Sequence, residues 1–443
     1  MKAVVIGGGV VGTATAVSLT DAGYEVLLLE RDDERRARLC RGAAFPDEPD
    51  LDQALQAGLR EGRLRVGGAV PAGLNGLDHA VFIAVGTPPG GEGGQALDLS
   101  QVAGALRQVR ASESRGSWKQ RVPVVIRSTL PLDAAERLAR LGVPVDERVL
   151  YVPEFLRVGS ALADARHPDR VVVGSADGRV PPSVMPWIRH LQAPVFEMGW
   201  DEALLVKLAA NALLAVKVSF ANELARVAAG VGGDPHRVAA AVAADPRLGP
   251  YLRPGVGFGG PCLPKDARAY QQALRRVGLG GSTVSAALQV NDAVGRWVVE
   301  DCRSACGDLG GRRVLILGVG FKAGTTDRTA SPGVRLAGLL ADAGAAVSTV
   351  TGTDSDTALS QGDGRDDPLL AEPRPEIVIV AQPDEGYAAL NWLAWAEAGG
   401  LLVHDAAGIL DAPLRTALAC RGVRVLGRGA DPVLDSHYSL KSL

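Results

Sequence analysis

The chain lacks the features that would place it at once in several protein classes. Among its 443 residues are only five cysteines, an odd number that makes no disulfide framework, so a reducing cytoplasm is the expected setting. Cys302 and Cys306 stand one helical turn apart, but no second ligand pair accompanies them. The six histidines are scattered, and no metal is expected. No stripe of Lys and Arg runs along the chain. Net charge is −3 with acids and bases mixed, which argues against nucleic acid as a partner. The longest apolar runs are interrupted by Lys, Asn or Glu, so no transmembrane segment and no membrane partner are expected. The N-terminus reads as a strand rather than a signal peptide.

What is present describes a soluble globular protein, with 47% hydrophobic and 22% charged residues. The length exceeds one ordinary core and implies two or three domains. Lys2 to Ile6 is a short apolar run that reads as a buried strand. Gly7-Gly8-Gly9-Val10-Val11-Gly12 follows, with Gly7, Gly9 and Gly12 in G-x-G-x-x-G register. Residues 13–22 are helical in pattern, and 24–29 form the next strand, with Glu30 at its end. Such glycines permit a tight turn and let a pyrophosphate approach the helix N-terminus. An acid about twenty residues on accepts hydrogen bonds from the adenosine ribose. Arg31 suits a 2′-phosphate, but the Glu30 carboxylate argues for NAD over NADP. Two more buried strands, 80–85 and 122–126, end in Val85-Gly86-Thr87-Pro88 and in Arg127-Ser128-Thr129-Leu130-Pro131. Ligands of open parallel sheets sit at such carboxyl ends.

The segment Gly257-Phe258-Gly259-Gly260-Pro261-Cys262-Leu263-Pro264-Lys265-Asp266 sets a lone thiol in a glycine-rich loop. Glycines let backbone approach a ligand closely. A nearby ammonium or a helix N-terminus favours the reactive thiolate, and Pro264 is suited to open a helix. Most free cysteines are small buried hydrophobes, but this setting suits a nucleophile for a carbonyl carbon. Residues 201–229 read as one long helix without Pro or Gly, on which Lys207 and Asn211 share a face at i, i+4. Polar groups in an apolar stripe need partners, and a developing oxyanion would be one.

Beyond these readings, the cysteine loop resembles the active-site segment of the UDP-glucose and GDP-mannose dehydrogenases, the nucleotide-sugar 6-dehydrogenases. The resemblance runs from residue 1 to about 430. Pro153-Glu154-Phe155-Leu156-Arg157-Val158-Gly159-Ser160-Ala161 is similar to the family's P-E-F-L-R-E-G-S-A, and Glu48-Pro49-Asp50-Leu51 to its E-P-G-L. Asp245-Pro246-Arg247-Leu248-Gly249 looks like D-x-R-I-G, and Gly318-Val319-Gly320-Phe321-Lys322 like L-G-x-x-F-K. Three stretches depart from the family pattern. Val158 stands where the family carries Glu. In Thr325-Thr326-Asp327-Arg328-Thr329-Ala330-Ser331-Pro332 the arginine falls one residue early. After the strand at 346–350 the family's D-P is missing, and residues 356–373 read as a variable loop. Apart from these departures, the glycine run at 90–94 reads as a flexible loop.

The resemblance implies an α/β fold: two Rossmann-like, doubly wound parallel-sheet domains joined by a central long-helix domain. Its implied boundaries are an NAD-binding domain over 1–199, a helical dimerisation domain over 200–300 and a nucleotide-sugar domain over 301–443. It implies NAD held by Gly7, Gly9, Val10, Val11, Gly12, Glu30 and Arg31, with Val85, Gly86, Thr87, Ser128, Thr129 and Lys265 around it. Glu154 falls on the general acid/base, Cys262 on the nucleophile, and Lys207 with Asn211 on the oxyanion donors. Thr129 and Asp266 join Glu154 in handling water. Substrate contacts fall on Glu154, Phe155, Leu156, Arg157, Lys207, Asn211, Arg247, Tyr251, Phe258, Gly259, Cys262, Phe321 and Lys322, with Arg247 reaching across a homodimer. The implied reaction oxidises the C6 hydroxyl of an NDP-hexose, by default UDP-glucose and alternatively TDP-glucose. Two hydride transfers through a thiohemiacetal and a thioester give a uronic acid, the kind of product used in polysaccharide biosynthesis. A 3-hydroxyacid-type dehydrogenase or a non-catalytic NAD- and nucleotide-binding protein would share part of this pattern.

Overall fold

The computed structural model describes residues 1–72, 74, 78–90, 96–114, 121–176, 179–249, 251–351 and 367–427. Residues 91–94 of the glycine run, 356–366 of the second loop, and 428 and 429 of a terminal Gly-Arg-Gly lie outside them. The chain divides into two compact units, Met1–Ala210 with Arg268–Ala273, and Asn211–Ala267 with Leu274–Leu443.

The first unit is built on one sheet. Its strands are β1 (Lys2–Ile6), β2 (Glu25–Leu29), β3 (Leu64–Gly67) and β4 (His79–Ile83), then β7 (Val124–Ile126), β8 (Val149–Tyr151), β9 (Val171–Ser175) and β10 (Val195–Gly199). A short antiparallel ribbon, β5 (Pro89–Gly90) with β6 (Ala96–Leu97), stands apart. The sheet order is β10-β9-β8-β7-β4-β1-β2-β3. Strands β3 to β8 of this sheet run parallel, and β9 joins β8 antiparallel at Tyr151 and Gly174. Apolar residues run continuously because both faces are covered. Along β1, Ala3 and Val5 enter one core and Val4 and Ile6 the other; Phe82 and Ile83 of β4 divide likewise. The order reverses at β1, between β2 and β4, which is the crevice where open α/β sheets bind ligands.

The second unit carries a parallel sheet ordered β12-β11-β13-β14-β15, from β11 (Arg313–Leu317), β12 (Ala346–Val350), β13 (Ile377–Val380), β14 (Leu402–Asp405) and β15 (Arg424–Leu426). It too reverses at its first strand, the other common doubly wound order. Val314 and Ile316 face one core, Leu315 and Leu317 the other.

The helix Trp200–Gly230 carries the chain from the first unit into the second. Its first turn holds Asp201 and Glu202, which complement the positive end of the helix dipole. By length and composition alone this helix could cross a membrane, so its interruptions by Lys207, Asn211 and Lys217 do not set it apart on that measure. Its exposed apolar residues include Leu213, Phe220 and Val227, spaced by seven along one stripe.

Candidate active site

In the first unit the glycine turn is packed to its limit on one side and open on the other. Gly7 has φ +112°, and a Cβ there would lie 2.5 Å from the Ala84 carbonyl oxygen. A Cβ on Gly12 would lie 1.8 Å from the Gly7 carbonyl oxygen. Gly9 has no atom within 4 Å of where its Cβ would stand, and it is the N-cap of Val10–Asp21 with no side-chain cap. A helix start with free N–H groups beside open space fits a pyrophosphate. Glu30 is buried at the end of β2. Its Oε2 accepts from the Gly8 N–H at 3.0 Å and its Oε1 from the Asp32 N–H at 2.9 Å. A carboxylate has about four lone-pair sites, so acceptor capacity remains for ribose hydroxyls. Arg31 is exposed.

The ends of β4 and β7 are stitched together. The Ser128 hydroxyl donates to the Val85 carbonyl at 2.7 Å, and the Thr87 hydroxyl to the Thr129 carbonyl at 2.9 Å. Thr87, Ser128 and Thr129 are buried while Gly86 is exposed, so these bonds tie together two strand ends rather than local turns.

Beyond β8 lies a buried charge cluster. Glu154 and Lys207 are 8% and 3% exposed. Lys207 Nζ donates to Glu154 Oε1 at 3.0 Å and to the Glu154 carbonyl at 2.6 Å. The Leu156 N–H donates to Glu154 Oε2 at 2.8 Å. Burial pushes the Glu154 carboxyl up, but the Lys207 charge, the Leu156 N–H and the Arg127 charge outweigh it and hold the pKa below its ordinary value. The Phe155 ring takes Arg170 at 3.9 Å and Lys207 at 5.3 Å from its centroid. Arg157 points elsewhere, paired with Asp164 at 2.5 Å near the surface.

In the second unit, Cys262 is half-buried and is the N-cap of the helix Leu263–Arg276, which has Pro264 in its first turn. Its carbonyl accepts from the Asp266 N–H at 3.0 Å. Asp266 is wholly buried. Its Oδ2 accepts from Asn211 Nδ2 at 2.5 Å and its Oδ1 from Lys265 Nζ at 2.6 Å. Asn211 and Lys265 are thus oriented by one carboxylate. The glycines before the cysteine are required by packing within the chain. A Cβ on Gly257 would meet Asn291 Oδ1 at 2.7 Å, one on Gly259 the Ala330 carbonyl at 2.2 Å, and one on Gly260 the Phe321 ring at 2.6 Å. Phe321 is therefore seated beside the cysteine loop. Asn291 accepts from the Phe258 N–H at 2.7 Å and donates to its carbonyl at 3.1 Å.

The remaining candidates stand apart from these clusters. Arg247 is paired with Asp245 at 2.5 Å and leaves its side chain 86% exposed. Tyr251 is exposed, with φ +73°. Lys322 is half-buried and Arg328 exposed.

Three residues that organise the site had no assigned role in the sequence. Glu48 is buried, and its carboxylate accepts from the N–H groups of Gly159 and Ala161, fastening the segment around Glu154 and Val158. Arg127 and Asn291 are the others. The signal for Glu48 was its place in a Glu-Pro-Asp-Leu segment, and for Arg127 its place before Ser128-Thr129.

The chain is similar to known proteins along most of its length. Residues 1–210 match the UDP-glucose/GDP-mannose dehydrogenase family, NAD binding domain, and residues 201–293 match the same family's central domain. A UDP-glucose 6-dehydrogenase of Rhizobium meliloti is 33% identical over 409 residues, 88% of this chain and 91% of that protein. One from Pseudomonas aeruginosa is 36% identical over 354 residues, 76% of this chain and 75% of that protein. A solved UDP-glucose dehydrogenase from Pyrobaculum islandicum superposes with a TM-score of 0.81 at 33% identity, covering 96% of this chain and 97% of that one.

Proposed function

The chain belongs to the UDP-glucose/GDP-mannose dehydrogenase family of NAD-dependent oxidoreductases acting on a CH–OH group, and we propose that it converts the C6 hydroxyl of a nucleotide-sugar into a carboxylate in two oxidations at one cysteine. The observation that carries this reading is Cys262 at the N-cap of Leu263–Arg276, one turn before the buried Asp266 that orients Asn211 and Lys265. UDP-glucose is the proposed substrate, since relatives at 33% and 36% identity bear its name. TDP-glucose is the first alternative.

The backbone of Gly7, Gly9, Val10, Val11 and Gly12 would hold the pyrophosphate of NAD, and Glu30 its ribose. NAD would supply the hydride acceptor, one molecule for each of the two oxidations, with NADH exchanged for NAD between them. Glu154, acting through a water, takes the C6 hydroxyl proton, while Lys207 stays an ammonium paired with it. The Cys262 thiolate adds to the aldehyde carbon, a C–S bond forms, and the carbonyl oxygen becomes an oxyanion that Lys207 and Asn211 stabilise. Loss of the second hydride leaves a thioester. Water, activated with Glu154, Thr129 and Asp266 as the proposed helpers, attacks it, the C–S bond breaks, and the thiolate and the uronate separate. Covalent capture divides a hard oxidation into easier steps and retains the aldehyde. Val158 can neither accept a proton nor orient water, so that step rests on Glu154, Thr129 and Asp266.

We further assign the active form as a cytoplasmic homodimer. Leu213, Phe220 and Val227 are 61%, 50% and 64% exposed, a stripe that a second copy would cover. Arg247, free at the surface beyond its pairing with Asp245, is the candidate for reaching the neighbouring site.

Cys262→Ala tests the reaction. It should fold as the parent does and still bind NAD, with sugar oxidation down roughly thousandfold or more, on the scale of losing a nucleophile. Retained formation of uronate by this variant would overturn the covalent mechanism.

A further inference from the structure

We propose that Arg127 is a positioning residue for the acid–base carboxylate: seated against Trp187 just past β7, its buried guanidinium keeps Glu154 ionised and paired with Lys207. The inference deepens the proposed function and rests on Glu154 being the acid–base group.

The geometry begins with strand register. β7 and β8 run parallel with Ile126 beside Tyr151, and the Val152 N–H donates to the Ile126 carbonyl at 3.0 Å. Arg127 and Val152 are therefore side by side immediately past the strands, with Glu154 two residues on. Arg127 is 7% exposed, and its guanidinium carbon lies 5.1 Å from the Trp187 ring centroid. Its Nη1 donates to the Val152 carbonyl at 3.4 Å, a long bond, and its Nε has no hydrogen-bond partner.

That is a poor inventory for a guanidinium with five donors, if its purpose were to fasten the fold. A methionine would fill the space against Trp187 without the desolvation of a buried cation. The charge needs an anion, and Glu154, two residues past the Val152 whose carbonyl Arg127 bonds, is the buried carboxylate whose charge bears on it. Burial pulls the Arg127 pKa down to about 10, while Glu154 and Tyr151 oppose that fall. The groups that face Glu154 are Lys207 from the long helix, the Leu156 N–H and Arg127; Arg170 lies over the adjacent Phe155 ring. One carboxylate thus meets two buried cations. With Arg127 removed, burial of Glu154 is opposed by Lys207 and one N–H only, and its proton affinity rises.

The experiment compares wild type, Arg127→Met and Arg127→Lys by titration of 13C-labelled glutamate carboxyls, with the Glu154 signal assigned by its loss in Glu154→Gln. The expected result is a titration midpoint moved to higher pH in Arg127→Met and restored most of the way in Arg127→Lys, where a cation remains. Should Arg127→Met fail to fold, Arg127→Gln, neutral and still able to bond the Val152 carbonyl, carries the same comparison. Equal midpoints in folded variants overturn the proposal. The pH dependence of kcat is read on the same proteins, and its acid limb should move with the midpoint while KM changes little. A midpoint that moves without the acid limb would uphold the role of Arg127 and sink the assignment of Glu154 as the acid–base group.

Discussion

Lys207 Nζ lies 2.6 Å from the carbonyl oxygen of Glu154 and 3.0 Å from its carboxylate, so one ammonium grips both ends of the same residue. The backbone bond fixes where the lysine stands, and the side-chain bond fixes which way the acid points. Both residues are buried, so neither charge can fall back on solvent when the other is removed. Lys207→Met should therefore lower stability by about 3–5 kcal/mol, the usual consequence of leaving one buried charge unpaired. Urea unfolding measures it. A loss below about 1 kcal/mol, with activity also intact, would mean that the pair is dispensable.

The same pair gives a pH dependence with a fixed sign. Glu154 is lowered in the folded protein from an ordinary value of 4.5. A carboxyl lowered on folding contributes stability that is fully present above its unfolded value and is lost as pH falls through the folded one. Wild type should lose more stability than Glu154→Gln between neutral pH and the range below 4.5. Parallel loss in the two proteins, followed by thermal melting, would show that Glu154 does not titrate as described.

Two glycines of the first turn should respond oppositely to the same substitution. Gly12→Ala drives a Cβ to within 1.8 Å of the Gly7 carbonyl, so the turn itself must distort and the protein without cofactor should melt lower. Gly9→Ala meets no atom within 4 Å, and stability should change by less than about 0.5 kcal/mol. Yet its methyl would stand where the pyrophosphate approaches, so NAD affinity should fall. Calorimetric titration of NAD beside melting curves separates the two effects. Unweakened NAD binding by Gly9→Ala would place the cofactor elsewhere.

Val227→Glu tests the dimer. Val227 is 64% exposed in the single chain, so the charge should be tolerated by the folded monomer. In a dimer built on the stripe of Leu213, Phe220 and Val227 it would bury an unpaired carboxylate, and sedimentation should show dissociation. An unchanged oligomer would move the interface to another face.

Much of this was legible before any coordinates. The glycine turn, the long helix and the strands around them follow from periodicity and from the positions of Gly and Pro. Element ends slipped by one to three residues; the strand read at 80–85, for example, spans His79–Ile83, because strand limits are set by pairing partners that periodicity does not reveal. The antiparallel entry of β9 was not legible for the same reason. The sequence did not show that the glycines at 257, 259 and 260 also make room for Asn291, Ala330 and Phe321, residues distant in sequence. Glu48 and Arg127 carried no assigned role because a lone charged residue usually lies at the surface, and only tertiary packing shows that these two are buried.

The most direct measurement is NADH formation by the purified protein with UDP-, TDP- and GDP-sugars, with the product weighed by mass spectrometry. The account predicts two NADH per sugar consumed and a uronic acid as product, with UDP-glucose turned over fastest. One NADH per sugar with an aldehyde released, or no turnover of any sugar despite NAD binding, would contradict it.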